Sequence, residues 1–389
     1  MVRRGLKTAD HSGRAAQFCV LGRRYRLRMP TFRQDLAGLG AYVPGRPIED
    51  VADEMGIAPD QIAKLASNES PDGPFPGVVE AAAGGLATSH RYPDNDAPAL
   101  STALSRWLGV PEEHLWLGAG SVALLGNIAL AVGGPGTSAV HGWPSFVMYR
   151  TVSQWAMTET VEVPLTPEFL HDLDAMSAAI REDTTVVYLC NPNNPSGTIV
   201  SGDAMEWFVG KVPERVLVVV DEAYHDYVTD PAYRSALPLA LERSNVVVLR
   251  TFSKIFGLAA HRVGYAIAQP ATIAQLRKTQ IPFSISQVAQ AAATSSLDDP
   301  VEHRRRVEAN AVGRHHLLGV LAERGLPHTE SHANFVYLRI GEDSMAVSDE
   351  FMKRGVIIRP MSRGWLRVTV GNDSENEKFV SVLDELMVR

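Results

Sequence analysis

Two cysteines in 389 residues leave no material for a disulfide scaffold. Cys19 lies near the N-terminus and Cys190 closes an apolar run, a usage that fits a reducing cytoplasm. No apolar run approaches the roughly 20 residues that a membrane helix requires. Positive charge is not in surplus: the formal net charge is −7, which argues against nucleic acid as a main partner. Internal repeats and low-complexity tracts are absent. What remains is an ordinary globular composition, 45% hydrophobic and 21% charged, with length enough for a large core and two domains.

Basic residues concentrate in one place. Residues 1–28 carry eight Lys/Arg against Asp10 alone, so this leader is +7 and the remainder −14. The apolar run 15–21 contains Gln17 and lacks a convincing cleavage site, which argues against a secretory signal. Ser12 is the leader's one serine, which suits a transit peptide poorly. We expect a disordered extension, or translation beginning at Met29.

From 29 to 75 the chain reads as mostly irregular, with a short strand at 62–65. Helical patterns follow at 78–87 and 97–108. Then strand-like segments at 115–117, 138–141, 160–164, 185–190, 216–220 and 245–249 alternate with helical ones at 122–132, 146–154, 173–180 and 202–208. Such alternation means an α/β fold with a mainly parallel sheet and helices on both faces. Ligands of such sheets gather at the carboxyl ends of strands. Gly118, Gly120, Ser121, Asn194, Asp221 and Lys254 all fall there. Past 268 the pattern changes to helices at 271–279, 287–296 and 300–324. Strands at 334–340, 356–359 and 365–370 then complete a smaller α+β unit. The basic run His303-Arg304-Arg305-Arg306 is expected to be a solvated helix face.

The chemistry centres on Arg250-Thr251-Phe252-Ser253-Lys254-Ile255-Phe256, followed by Arg262. A lone loop lysine is usually solvated surface, but the apolar flanks here would bury the amine. Burial lowers a lysine pKa, and a neutral amine can condense with an aldehyde to form a Schiff base. Thr251, Ser253 and Arg262 supply groups that hold a phosphate. Asp221 follows an unbroken valine run, where a carboxylate is costly without a cation. It is either a cap or structural ion pair, or the partner of a protonated ring nitrogen. Tyr224 and Asn194 could then donate to a ring oxygen from opposite sides. Gly118, Gly120 and Ala123 match the loose dinucleotide fingerprint, but the next carboxylate, Glu159, is too distant to hold a ribose. The nicotinamide reading fails there, and the plain phosphate reading survives.

Asn194-Pro195-Ser196-Gly197, Asp221-x-x-Tyr224 and Ser253-Lys254 with Arg262 resemble the fold-type I pyridoxal-phosphate aminotransferases. Within them the chain is similar to the histidinol-phosphate aminotransferase subgroup, including its aromatic amino acid (phenylalanine) branch. The resemblance spans about 29–389 and takes in Tyr42-Val43-Pro44-Gly45, Leu65-Ala66-Ser67-Asn68-Glu69 and Arg91-Tyr92-Pro93-Asp94. It implies an aspartate-aminotransferase-like fold with a seven-stranded sheet and pyridoxal 5′-phosphate as cofactor. It divides the chain into a lid and part of the small domain (29–76), a large cofactor domain (77–293) and a C-terminal small domain (294–389).

By this resemblance Lys254 is the Schiff-base lysine, Asp221 pairs with the ring nitrogen, Tyr224 and Asn194 hold the ring oxygen, and Phe146 stacks on the ring. Backbone N–H groups of Ser121 and Val122, with Thr251, Ser253 and Arg262, bind the phosphate. Tyr92 reaches the phosphate in a neighbouring subunit, which implies a homodimer. Arg367 grips the substrate, beside Arg359, Asn334 and the lid residue Tyr42. No metal is implied.

The connection from Arg359 to Arg367 is short, and Trp365, Trp143 and Phe146 are expected nearby. By the resemblance, many histidinol-phosphate enzymes have a longer connection here, and the short form is more similar to the aromatic branch; this implies an aromatic amino acid as donor, with 2-oxoglutarate as acceptor, over histidinol phosphate. A pyridoxal-phosphate decarboxylase, lyase or oxidase would use the same cofactor residues. A non-catalytic binding protein on this fold is the remaining alternative.

Overall fold

The computed structural model describes residues 17–20, 23–26, 31–33, 38–40 and 44–387. The chain forms two compact units, Met1–Ala41 and Tyr42–Arg389. In the first, strands β1 (Gln17–Val20) and β2 (Arg23–Arg26) pair antiparallel, within the stretch where composition suggests disorder.

The second unit is organised by a seven-stranded sheet. After the short β3 (Ala63–Lys64), its strands are β4 (Leu115–Gly118), β5 (Ser138–Trp143), β6 (Glu159–Pro164), β7 (Thr184–Cys190), β8 (Leu217–Asp221), β9 (Val246–Thr251) and β10 (Gly264–Ile267). They lie in the order β4-β10-β9-β8-β7-β5-β6. The neighbours from β9 to β6 are parallel, whereas β10 runs antiparallel to both β4 and β9. This is the mainly parallel sheet that the strand–helix alternation predicts.

The strands read as unbroken apolar runs because helices cover both faces. Along β8, Val218 and Val220 pack with Leu104, Phe208 and Ala292 on one side. Leu217 and Val219 pack with Leu125, Ile128 and Val152 on the other. Each such buried valine contributes about 1.5–3 kcal/mol. Side chains alternate across the pleat, so Asp221 emerges on the second face, at the carboxyl end of a central strand.

Beyond the large sheet come β11 (Phe335–Arg339), β12 (Val356–Ile357), β13 (Arg359–Pro360) and β14 (Trp365–Thr369). Strands β11, β14 and β13 form an antiparallel sheet in that order, and β12 pairs parallel with β3. Register places Tyr337, Arg367 and Arg359 side by side across three strands, hence on one face.

Three features depart from expectation. The segment read as irregular contains a helix, Ile48–Met55, closed by Gly56 at φ 67°. Helices Ser344–Met352 and Asp373–Met387 join the C-terminal strands. The basic run is not simply a solvated face, because one side of helix Pro300–Glu323 packs on the cofactor-site loops. Arg306 is 3% exposed and donates to the carbonyls of Ile255 at 3.1 Å and Gly73 at 2.7 Å, while its Nε donates to Glu302 at 2.8 Å. His303 meets Asp226 at 3.0 Å.

Next to Asp221 lies a buried ion pair that locks β9 to the turn after β8. Arg250 donates to Glu222 Oε2 through Nε at 3.0 Å and Nη2 at 2.8 Å. Ser235 and the Ala236 N–H also donate to that carboxylate. Removing one member of such a pair leaves an uncompensated buried charge. Arg250→Ala is therefore expected to cost about 3–5 kcal/mol in urea unfolding. A loss below about 1 kcal/mol, the value of an exposed pair, would contradict this account.

Candidate active site

The carboxyl ends of β7, β8 and β9, the loop carrying Asn68 and the face of β14 surround a cavity of about 250 Å³. Its acidic wall is Asp221, 2% exposed. The Tyr149 hydroxyl donates to Asp221 Oδ2 at 2.9 Å, and the Ala223 N–H donates to Oδ1 at 3.1 Å. Tyr149 is itself fixed by stacking on Tyr188, with ring centroids 5.1 Å apart. Burial pushes the Asp221 pKa up to about 6, outweighing these hydrogen bonds and the charge of Lys254. Cys190 lines the same cavity, and burial drives its thiol pKa well up, so it is no nucleophile at neutral pH.

Lys254 sits in the loop that follows β9. Its Nζ donates to the carbonyls of Asn68 at 3.1 Å and Ser67 at 3.4 Å, and lies 5.5 Å from the centre of the Tyr224 ring. Burial, followed by the positive charges of Arg367 and Arg262, lowers its pKa to about 8. The Tyr224 hydroxyl accepts from Asn68 Nδ2 at 3.0 Å, and burial raises its pKa above the ordinary phenol value. Arg367 donates through Nη1 to Asn194 Oδ1 at 2.6 Å and through Nη2 to the Ala66 carbonyl at 2.8 Å.

The other end of the cavity is an anion cradle. Ser121 and Val122 open the helix Ser121–Val132, whose first N–H groups have no acceptor within the helix and carry the positive end of its dipole. The approach is tight. Gly120 is at φ 85°, and a Cβ there would collide with the Arg262 guanidinium; a Cβ on Gly264 would lie 2.5 Å from the Ser121 nitrogen. Arg262 is held at φ 55°, uncommon for a residue with a side chain, and donates through Nη1 to Ser253 Oγ at 3.2 Å. Thr251 Oγ1 accepts from the Ser253 N–H at 3.1 Å.

Every site residue marked by the sequence lines this cavity except three. Asn334 is 2% exposed and reaches the site through Asn68, to whose carbonyl its Nδ2 donates at 3.1 Å. Tyr92 is 83% exposed and stacks on Phe283 at 4.9 Å. Tyr42 lies outside the described residues. A further expectation needs correction. Phe146 lines the cavity, but Trp143 and Trp365 line a neighbouring cleft with Phe169 and Tyr337. Trp365 shares a strand face with Arg367 yet lies one pleat repeat further along, where Tyr337 stacks on it at 4.5 Å. Sequence reasoning also missed Tyr149 and the part played by Asn68, which is 1% exposed and at φ 54°.

A buried acid, two donors beside a lysine amine of lowered pKa, and an anion cradle form the donor set for a phosphorylated pyridine aldehyde. The residues present fit pyridoxal 5′-phosphate. The family model "Aminotransferase class I and II" matches residues 60–383. The chain belongs to this family. Its relatives include an aromatic amino acid aminotransferase of Streptomyces avermitilis, 42% identical over 91% of this chain and 97% of that one. A histidinol-phosphate aminotransferase of Cupriavidus pinatubonensis is 40% identical, covering 90% of this chain and 94% of its own. Among solved structures, histidinol-phosphate aminotransferase from Sinorhizobium meliloti in complex with pyridoxal 5′-phosphate matches at a TM-score of 0.84 and 28% identity, over 92% of this chain and 99% of that one. The fold is type I, aspartate-aminotransferase-like, and the aminotransferase uses pyridoxal 5′-phosphate.

The Asp221 geometry fixes how the apoprotein responds to pH. Its folded pKa is raised from 3.8 to about 6, so the folded chain still holds a proton that the unfolded chain has released. The apoprotein therefore loses stability as pH rises from about 4 to about 6, on the order of 3 kcal/mol from this group. Asp221→Asn is expected to remove that component and to raise the apoprotein Tm at pH 7.5. Parallel pH–Tm curves for the two proteins would contradict it.

Proposed function

We propose that this aminotransferase moves the amino group of an aromatic L-amino acid to 2-oxoglutarate, with Lys254 as its catalytic residue. The observation that carries the substrate choice is the β13–β14 hairpin. Arg359 and Arg367 face each other across it, and a tight turn closed by the Met361 N–H to the Trp365 carbonyl at 2.9 Å joins them. Only residues 360–366 connect the two arginines, a connection too short to surround a phosphorylated imidazole. The relatives named aromatic amino acid aminotransferase support the same choice.

Bound pyridoxal phosphate supplies an electron sink for the carbanion left when the substrate Cα loses its proton. The rest of the work belongs to the chain. Asp221, ionised by its cationic partner, keeps the ring nitrogen protonated, and Tyr149 fixes its carboxylate. Tyr224 and Asn194 donate to the ring oxygen, and Phe146 covers the ring. The N–H groups of Ser121 and Val122, with Thr251, Ser253 and Arg262, anchor the phosphate. Lys254 Nζ, whose pKa burial lowers to about 8, would act as the base that takes the proton from the substrate Cα. Arg367 binds the α-carboxylate bidentately beside Arg359, Asn334 supports the site through the Asn68 carbonyl, and Tyr42 is assigned to the substrate site as a lid residue.

To residues 29–76 we assign the N-terminal lid and part of the small domain, to 77–293 the large cofactor domain and to 294–389 the C-terminal small domain. We assign a homodimer, in which the exposed Tyr92 extends to the phosphate of the second copy. The exposed apolar side chains Ile281 and Phe283 beside it support this. Cysteine usage supports a cytoplasmic location, and among the described residues no helix is long and apolar enough to cross a membrane. Histidinol phosphate as donor is the second reading, favoured by the relatives of that name.

Two measurements test the residue roles. Arg367→Met is expected to cut kcat/KM for phenylalanine about a hundredfold, through the lost charged hydrogen bonds. A change below threefold would remove Arg367 from the substrate site. Attachment of pyridoxal phosphate to the apoprotein, trapped by borohydride and read by mass spectrometry, is expected to accelerate through pH about 8, where the Lys254 amine becomes neutral. Acceleration only near the ordinary lysine value of about 10.4 would contradict the assigned environment.

A further inference from the structure

Asn68 makes four kinds of contact at the junction of the two sheets. Its carbonyl accepts from Lys254 Nζ and from Asn334 Nδ2, each at 3.1 Å. Its N–H donates to Thr369 Oγ1 at 2.9 Å, and Thr369 Oγ1 donates back to Asn68 Oδ1 at 3.2 Å. Its Nδ2 donates to the Tyr224 hydroxyl at 3.0 Å. The φ of 54° lies in the left-handed region, where asparagine is tolerated far better than most residues with a side chain. Thr369 and Arg367 lie two residues apart on β14, on one face, so the same strand orients Asn68 and carries the substrate arginine.

A phenol has one proton to donate and two lone pairs with which to accept. We infer that Asn68 is a positioning residue that sets the direction of the Tyr224 hydroxyl: by donating to the oxygen, it leaves the phenolic proton free to point into the cavity. The inference rests on the reading above that Tyr224 meets the ring oxygen of the bound cofactor. Thr369 supplies the other half of the device. By donating to Oδ1 it holds the Asn68 amide with its NH₂ group toward Tyr224. Tyr224 is 4% exposed, so water does not compete freely for either its proton or its lone pairs. The side chain of Asn68 thus works on Tyr224 while its carbonyl holds the Lys254 amine.

The test is a spectrophotometric pH titration of the bound cofactor's visible band in the holoenzyme. A hydrogen-bond donor at the ring oxygen stabilises the deprotonated chromophore, so withdrawing it raises the titration midpoint. Asn68→Asp turns the donor into an acceptor that captures the Tyr224 proton, and the midpoint is expected to rise by roughly one pH unit. Asn68→Gly suits the positive φ, keeps the carbonyl that holds Lys254 and adds no charge; it is expected to shift the midpoint the same way by a smaller amount. In a Tyr224→Phe background the Asn68→Gly shift is expected to vanish. Thermal unfolding of each variant confirms that it is folded. If Tyr224→Phe raises the midpoint while both Asn68 variants leave it unmoved, Asn68 does not direct the hydroxyl. If Asn68→Asp shifts the midpoint equally with and without the Tyr224 hydroxyl, its charge is responsible and the inference falls. If Tyr224→Phe itself leaves the midpoint unmoved, Tyr224 does not meet the ring oxygen, and the inference falls together with the reading beneath it.

Discussion

A carboxylate held out of water at the end of a central strand is the constraint on which the site depends. Asp221 and Glu222 are adjacent and both almost fully buried, yet their surroundings differ. Glu222 faces Arg250, which donates to it twice, and the pair serves as a structural lock. Asp221 receives one neutral hydroxyl and one backbone N–H, which leave its pKa raised. A buried acid in that condition gains most from a cationic partner inside the cavity, and a protonated pyridine nitrogen is such a partner. Asp221 ends β8 and faces the cavity, whereas Glu222, in the turn that follows, is turned to Arg250 of β9.

The opposite wall obeys the same electrostatics with the sign reversed. Burial and two neighbouring guanidinium groups hold the Lys254 amine near a pKa of 8. The amine can therefore serve as nucleophile and base at physiological pH. One of those guanidinium groups, Arg367, belongs to a strand of the small sheet. Its bonds to Asn194 and to the Ala66 carbonyl tie that strand to the cofactor side of the cavity. Substrate grip, cofactor ring and reactive amine thus meet through a few buried polar contacts at the junction of the two sheets.

The sequence revealed the large sheet because its strands are buried on both faces and so read as continuous valine, leucine and isoleucine runs. Asp221 and the Gly118–Ser121 loop were legible for a related reason: each follows such a run directly, and Lys254 stands among apolar neighbours three residues beyond one. Tyr149 and the role of Asn68 were not. Their partners stand 72 and 156 residues away in the chain, Asp221 and Tyr224 respectively, and only the folded register brings them together. Helix Ile48–Met55 does carry a helical pattern, with Val51 and Ala52 buried and Ile48 and Met55 beside them, but Pro44 and Pro47 just ahead of it obscured the pattern. Trp365, expected near the site, lines the neighbouring cleft instead, because nearness in sequence to Arg367 does not fix position along an extended strand.

The central claim is that this geometry selects an aromatic amino donor. The most direct test mixes purified holoenzyme with one amino donor at a time, without an acceptor, and follows conversion of the bound cofactor to its amine form by stopped-flow absorbance. The account predicts that phenylalanine or tyrosine converts it much faster than histidinol phosphate. Faster conversion by histidinol phosphate would contradict it and would place the enzyme in histidinol-phosphate transamination.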